Sequence, residues 1–306
     1  MAGECPAPSS ISGGGFVFFQ ILVGALVIGS IYGLVALGYS LIYSASGLMS
    51  FVQGELLMLG AFLGLTFYKY CNLPFPVALL LTMLCMYFVG VFIEKFIIRK
   101  LQKAGANAIF IVVATIALSI ILQNLAMLIW GSSVFQFPPI FSVSRINIGS
   151  FRVPPEAFMA IVIALIVMLT LHFFMAHTRI GTAMRAAAQD PMAARTMNIN
   201  VSRTTGITWG IASMLTGVAG MLIGPIYGVS AHMGVMIGLK GFAGAVIGGY
   251  GNMYGAVVGS LMLGGVETFT AAYISSMYKD FISFFILILF LIFIPRGLFK
   301  GQVYDD

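Results

Sequence analysis

Three ionisable residues stand inside stretches that are otherwise apolar: Glu55, Lys240 and Glu267. A charge at the centre of a membrane helix costs about 2.5–3.5 kcal/mol on insertion scales, so each needs a reason to be there. A packing role is one reason: the groups snorkel or form buried hydrogen bonds, with Lys240 and Glu267 free to pair. A water-accessible route is another, lined by Gln53, Glu55, Lys240, Glu267 and Asn252. A proton relay through Glu55, Lys240 and Glu267 would instead make a stand-alone carrier. Glu94, beside Lys95 and Arg99 at the end of an apolar run, reads as an interfacial charge.

Enzymatic chemistry has no matching constellation. No Gly-Lys dipeptide occurs, so the chain has no P-loop. His172, His177 and His232 show no paired metal-ligand spacing, and there is no G-x-S-x-G elbow. Cys5, Cys71 and Cys85 are an odd set with no metal-like spacing and read as free thiols. The expectation is a chain that is not an enzyme, with no cofactor or metal of its own.

A second polar set lies in the segment 177–205. Thr182–Gln189 is rich in Ala, Met and Arg and suits a short helix. Asp190 followed by Pro191 reads as an N-cap and the first position of a second short helix, Met192–Met197. Asn198, tolerant of a left-handed C-cap, ends it. The result is an elbow of two helices. Its alanines, Ala187 and Ala194 among them, make it thin enough to enter a groove, and Arg185 and Arg195 suit carboxylates on a partner.

The elements that must hold these residues are apolar helices. Of 306 residues 60% are hydrophobic and only 8% charged, far below the roughly 25% charged of soluble proteins. A soluble surface cannot be covered with so few charges, whereas lipid removes the need. Runs near the about 20 residues a membrane helix needs are Phe16–Tyr43, Leu48–Tyr68, Phe75–Ile98, Ala108–Trp130, Ala157–Ala176 and Gly206–Val229. Met233–Gly249, Gly255–Tyr273 and Phe281–Ile294 are shorter and glycine-interrupted. The fold class is all-α: a polytopic bundle of eight or nine membrane helices in a single domain over 1–306, with the second and seventh broken or re-entrant. The first run is too long for a signal-peptide core, so its span is retained.

Net charge is +6, yet the basic residues fall in short loops rather than one patch, which argues for membrane orientation and against nucleic acid. Lys95, Arg99, Lys100 and Lys103 form one cluster, Arg179, Arg185, Arg195 and Arg203 a second, Arg296 and Lys300 a third. Even numbers of spans separate them, so all three share the cytoplasmic face. Lys69, Arg145, Arg152 and Lys279 fall on the other. Nine spans then put the 1–15 tail outside and the C-terminus inside. Glycines four apart, as at Gly29 and Gly33, Gly60 and Gly64, Gly220, Gly224 and Gly228, or Gly255 and Gly259, mark faces where helix backbones approach closely. No sustained repeat is present, only an echo between the stretches around Gly54 and Gly241.

Several motifs together resemble one family. The run Arg185-Ala-Ala-Ala-Gln-Asp-Pro-Met-Ala-Ala-Arg-Thr-Met-Asn-Ile-Asn-Val resembles the cytoplasmic coupling loop of branched-chain amino acid ABC permeases, the LivH/LivM family. Gly47-Leu-Met-Ser-Phe-Val-Gln-Gly-Glu-Leu-Leu-Met-Leu-Gly-Ala-Phe is similar to its second-helix motif, and Ile93-Glu-Lys-Phe with Arg99 to its Glu-Arg stretch. Gln123-Asn124, Trp130-Gly131, Gly248-Gly-Tyr-Gly-Asn-Met-Tyr-Gly-Ala-Val-Val-Gly and Pro295-Arg-Gly-Leu-Phe follow in order. Ser50, Val52-Gln53 and Asn198 depart from the residues usual there. The resemblance implies an importer half in the cytoplasmic (inner) membrane of a prokaryote. Its partners would be a second permease subunit (LivM-like, or a second copy), two ABC ATPase subunits that bind the ATP, and an external amino-acid-binding protein. It also gives Glu55 a special place and makes the elbow the ATPase-coupling loop.

Overall fold

The computed structural model describes residues 14–141, 146–148, 151–294 and 297–299, with side chains for all but 14–17, 146–148 and 151–153. The tail 1–13 with Cys5, Arg145, the Arg152 side chain, Arg296 and Lys300 lie outside the described residues.

Helix α1, Gly14–Ser46, has 33 residues and is thus about 50 Å long, well beyond the roughly 30 Å of a bilayer core. It stops at Gly47, whose φ of +65° is open to glycine at no steric cost. The chain stays non-helical to Val52, and α2, Gln53–Leu65, then runs into a π-turn, Thr66–Tyr70. The helix of the second apolar run therefore starts at Gln53 rather than Leu48 and runs on without a break to Tyr70. Helix α3, Phe75–Ile93, follows an extended Pro74, and continues through a π-turn, Glu94–Ile98, into α4, Arg99–Lys103. Helix α5, Ala108–Trp130, ends on Gly131. An antiparallel hairpin of β1, Ile146–Ile148, and β2, Phe151–Val153, leads to α6, Pro155–His177.

Two short helices follow, α7, Arg179–Gln189, and α8, Pro191–Thr196. Then come α9, Val201–Tyr227, α10, Met233–Gly248, α11, Met253–Tyr273, and α12, Lys279–Phe293. Among the described residues six helices are long and apolar enough to cross a membrane: α1, α3 with its continuation, α5, α6, α9 and α11. Helices α2, α10 and α12 are the shorter apolar ones. The second and seventh runs, expected to be broken or re-entrant, are α2 and α10. The architecture is an all-α polytopic bundle.

Helix α9 is buried along most of its length and with α1 forms the centre, against which α2, α10 and α11 pack. Helices α5 and α6 turn apolar side chains outward, among them Ile109, Leu128, Leu165 and Phe173. Such a perimeter suits lipid and would be a continuous sticky patch in water. An isolated bridge between Phe135 and Val229 ties the end of α5 to the α9–α10 connector.

Glycine sets the tightest contacts. A Cβ on Gly220 would collide with the carbonyl oxygen of Leu57, and one on Gly60 with the backbone of Gly217, so α2 and α9 touch through their backbones. Gly248 and Gly255 join α10 to α11 in the same way, and Gly29 and Gly264 join α1 to α11. Gly228 is the exception in its series: with φ +79° it stops α9 rather than lining a packing face. Gly220→Ala should cost about 1–3 kcal/mol by overpacking. Gly265→Ala, with nothing within 4 Å of the added carbon, should be neutral or slightly stabilising. Thermal unfolding midpoints of the two variants in one detergent check the contrast.

Candidate functional site

Helix α2 begins beside the middle of α9. Gln53 is fully buried, and its Oε1 accepts a hydrogen bond from Thr216 Oγ1 at 2.7 Å, while its Nε2 has no partner. Glu55, in the first turn of α2, is only 3% exposed, and its Oε2 has no hydrogen-bond partner either. No side chain caps the start of α2 or of α10. The two starts abut: a Cβ on Gly54 would collide with the carbonyl of Gly234, and one on Gly234 would stand 3.0 Å from Glu55 Oε2. The stretches that echo each other in sequence thus pack together. Beside them lies a cavity of about 230 Å³, walled by α2, α5 and α10, into which Glu55 points.

Lys240 and Glu267 belong to a different cluster. Lys240 Nζ lies 2.6 Å from Glu267 Oε1 and 2.6 Å from Asp280 Oδ1. Tyr32 Oη donates to Glu267 Oε2 at 2.8 Å, and Lys279 Nζ approaches Glu267 at 3.8 Å. Four helices, α1, α10, α11 and α12, are tied at one point. The pairing expected of Lys240 and Glu267 is present, and it changes the reading of the trio. All the polar contacts of this pair are made within the cluster, and among the described residues none reaches Glu55. The three residues do not form one relay.

Two other expectations are corrected. Glu94 is not an interfacial charge: it is 1% exposed and held by Arg99 in a bidentate pair, with contacts at 2.6 and 3.0 Å. Arg99 also donates to the carbonyl oxygen of Ser202, so the pair clamps the tail of α3 to the start of α9. Asn252 does not join Glu55. It caps α11, accepting from Tyr254 N and Gly255 N, and donates to the carbonyl oxygen of Phe299. Its neighbour is the elbow, with which it lines a cavity of about 280 Å³ that Arg185 and Gln189 also border.

The elbow has the local geometry its sequence predicts. Asp190 Oδ1 accepts from Met192 N at 2.8 Å and Ala193 N at 3.0 Å, Pro191 opens α8, and Asn198 adopts φ +60°. The first helix starts earlier than expected, at Arg179, because Thr178 caps it through Gly181 N. The alanines are a correction. Ala187 and Ala194 are buried against the bundle, so they set how closely the elbow packs and do not face a partner. Arg185, Asp190, Pro191, Arg195 and Asn198 are exposed, and so are Met192 at 76% and Met197 at 77%. Asp190→Ala should remove about 1 kcal/mol from α8, raising amide exchange at Met192 and Ala193 roughly fivefold, with Asp190→Ser close to normal.

Sequence reasoning missed Tyr32, Asp280, Met192 and Met197. Asp280 carried a usable signal, being one of only nine acidic residues and placed at the head of an apolar run. Met192 lies in α8 and Met197 directly follows it, but which side faces out depends on the bundle beneath.

Comparison with known proteins bears on the whole chain. A family described as branched-chain amino acid transport system / permease component matches residues 21–291. The high-affinity branched-chain amino acid transport system permease protein LivH of Salmonella typhimurium is 32% identical, over 92% of this chain and 95% of the relative. BraD of Pseudomonas aeruginosa, with the same description, is 33% identical over 92% and 95%. A probable LivH of Methanocaldococcus jannaschii is 26% identical over 91% of each chain. With a match running through all but the ends, the chain belongs to the permease components of branched-chain amino acid transport systems.

Proposed function

We propose that this chain is one membrane half of an ABC importer carrying branched-chain amino acids across the cytoplasmic membrane of a prokaryote, with its N-terminus outside and its C-terminus inside. A second permease subunit completes the pathway, two ATPase subunits dock on the elbows, and an external binding protein delivers the substrate. The observation that carries the reading is the end-to-end similarity to permeases of this transport class. The sequence has no Gly-Lys dipeptide of a P-loop, which suits an energy source on another polypeptide.

In this reading the ATPases close on ATP and move the paired elbows. The buried α7 alanines pass that motion to the bundle, and the route opens on the other side. Gln53 and Glu55, polar groups without full hydrogen bonding at a helix start, are the route-lining residues on this chain. The Lys240–Glu267–Asp280 cluster holds the helices around them. A stand-alone proton carrier fits less well, because Lys240 and Glu267 neutralise each other apart from Glu55.

Co-expression tests it. The tagged chain, a second permease and the ATPases of the same system should purify together, and ATP hydrolysis should rise when amino-acid-loaded binding protein is added. Purification of the chain free of any ATPase, or hydrolysis indifferent to the binding protein, would contradict the assignment.

A further inference from the structure

We propose that the cavity beside Glu55 is an amino-acid subsite within this chain, taking the substrate's ammonium at the Glu55 carboxylate and its branched side chain against α5 and α10. The inference rests on the importer reading and adds where, and through which group, the substrate is held in the membrane.

Three observations converge. Glu55 is buried, yet its Oε2 has no partner, and a buried polar atom left unpaired is costly enough that native folds nearly always satisfy it. A donor carried by a ligand would satisfy it, and for a carboxylate a cation fits best. The carboxylate opens onto a cavity of about 230 Å³, smaller than the about 300–1,000 Å³ of sites for drug-sized ligands, so a single small molecule fills it. Glu55 is the one ionised group in a wall otherwise made largely of apolar side chains, Ile116 and Ile120 from α5, Val235 and Leu239 from α10, with Ser119, Gln123 and the Tyr39 phenol as its other polar members. A carboxylate at one end and branched aliphatic side chains around it match a primary ammonium carrying an aliphatic chain.

The neighbouring polar groups leave Glu55 to this role. Ser119 Oγ donates within its own surroundings, to the carbonyl oxygens of Phe51 and Thr115. Gln123 Nε2 is engaged with the Ala231 carbonyl oxygen and His232 Nδ1. Lys240, the one cation on α10, is turned to the other cluster and held there by Glu267 and Asp280.

The test uses the complete transporter in nanodiscs, with Cys5, Cys71 and Cys85 replaced by serine and Ile120→Cys as reporter; Ile120 is 57% exposed at the cavity mouth. Alkylation of the reporter is followed with leucine, with isoamylamine (ammonium and branched chain only) or with 4-methylpentanoate (carboxylate and branched chain only). Leucine and isoamylamine should slow alkylation and 4-methylpentanoate should not. In Glu55→Gln the concentration of isoamylamine needed should rise roughly tenfold or more, as for loss of a charge-assisted contact. Glu55→Asp, which keeps the charge, should retain part of the protection. Equal protection in Glu55→Gln, equal protection by 4-methylpentanoate, or none by any ligand overturns the subsite. ATP-driven leucine uptake by the unmodified transporter is the separate check: intact uptake without protection removes the subsite alone, whereas no uptake with every partner present removes the importer reading.

Discussion

Met192→Asp combined with Met197→Asp should abolish ATP-driven uptake while leaving the protein folded in the membrane. Both side chains are more than three-quarters exposed at the elbow corner, so neither charge disturbs the bundle. Methionine is unbranched and polarisable, and it fills irregular apolar pockets on a partner. Placing an aspartate in such a pocket costs about 3 kcal/mol or more, because the charge loses water and gains no partner. That is roughly a hundredfold or more in ATPase affinity. Co-purification of the ATPase and uptake should fall together, while thermal stability in detergent stays within error. Alanine at both positions should give an intermediate loss. Normal ATPase recovery with the aspartate pair would remove the docking surface from the elbow corner. Ala187→Glu is the contrast: its side chain is buried, so it should lower stability before it touches docking.

The second large effect lies at the ionic cluster. Lys240→Met leaves Glu267 buried with only the Tyr32 hydroxyl as a close partner, since Lys279 is 3.8 Å away and partly exposed. Removing one member of a buried pair typically costs about 3–5 kcal/mol, because the remaining charge is uncompensated. Expression and thermal stability of Lys240→Met should therefore drop sharply. The double variant Lys240→Met with Glu267→Gln should recover most of the loss, because replacing a whole buried pair is often close to neutral. Asp280, 40% exposed by side chain, can turn to water and should contribute much less when replaced by asparagine. A double variant no better than the single would mean that the pair does more than neutralise itself. A change in leucine uptake with stability restored would place the cluster in the moving parts of the transporter.

How much was legible in the sequence depended on the range of the interaction. Local chemistry was readable. Asp190, Pro191 and Asn198 specify a cap, a first helical position and a left-handed stop within nine residues, and the structure has all three. The apolar runs gave the helices, and the interrupted ones gave the short helices α2 and α10, because glycine and polar residues weaken a span wherever they occur. The pairing of Lys240 with Glu267 was also open to reasoning, since two opposite charges in apolar surroundings stabilise each other. What failed needed the third dimension. Ala187 and Ala194 suggested a thin insert, yet small residues serve equally well where a helix lies close on a bundle, and here the bundle claims them. Glu94 looked interfacial beside Lys95 and Arg99, but a π-turn brings Arg99 onto it under α9. Asn252 is a strong cap residue, and the structure has it capping α11 and lining a cavity beside the elbow rather than the one beside Glu55. The approach of Glu55 to Gly234 joins positions almost two hundred residues apart in sequence, and only a short echo hinted at it.

Uptake into sealed vesicles tests the central claim most directly. Proteoliposomes holding this chain, its second permease and the ATPases, with ATP inside and binding protein outside, should accumulate leucine against its gradient. Leaving out the ATPases, the ATP or the binding protein should each stop accumulation. Vesicles with this chain alone should show none under an imposed pH gradient; leucine accumulating there would contradict the account.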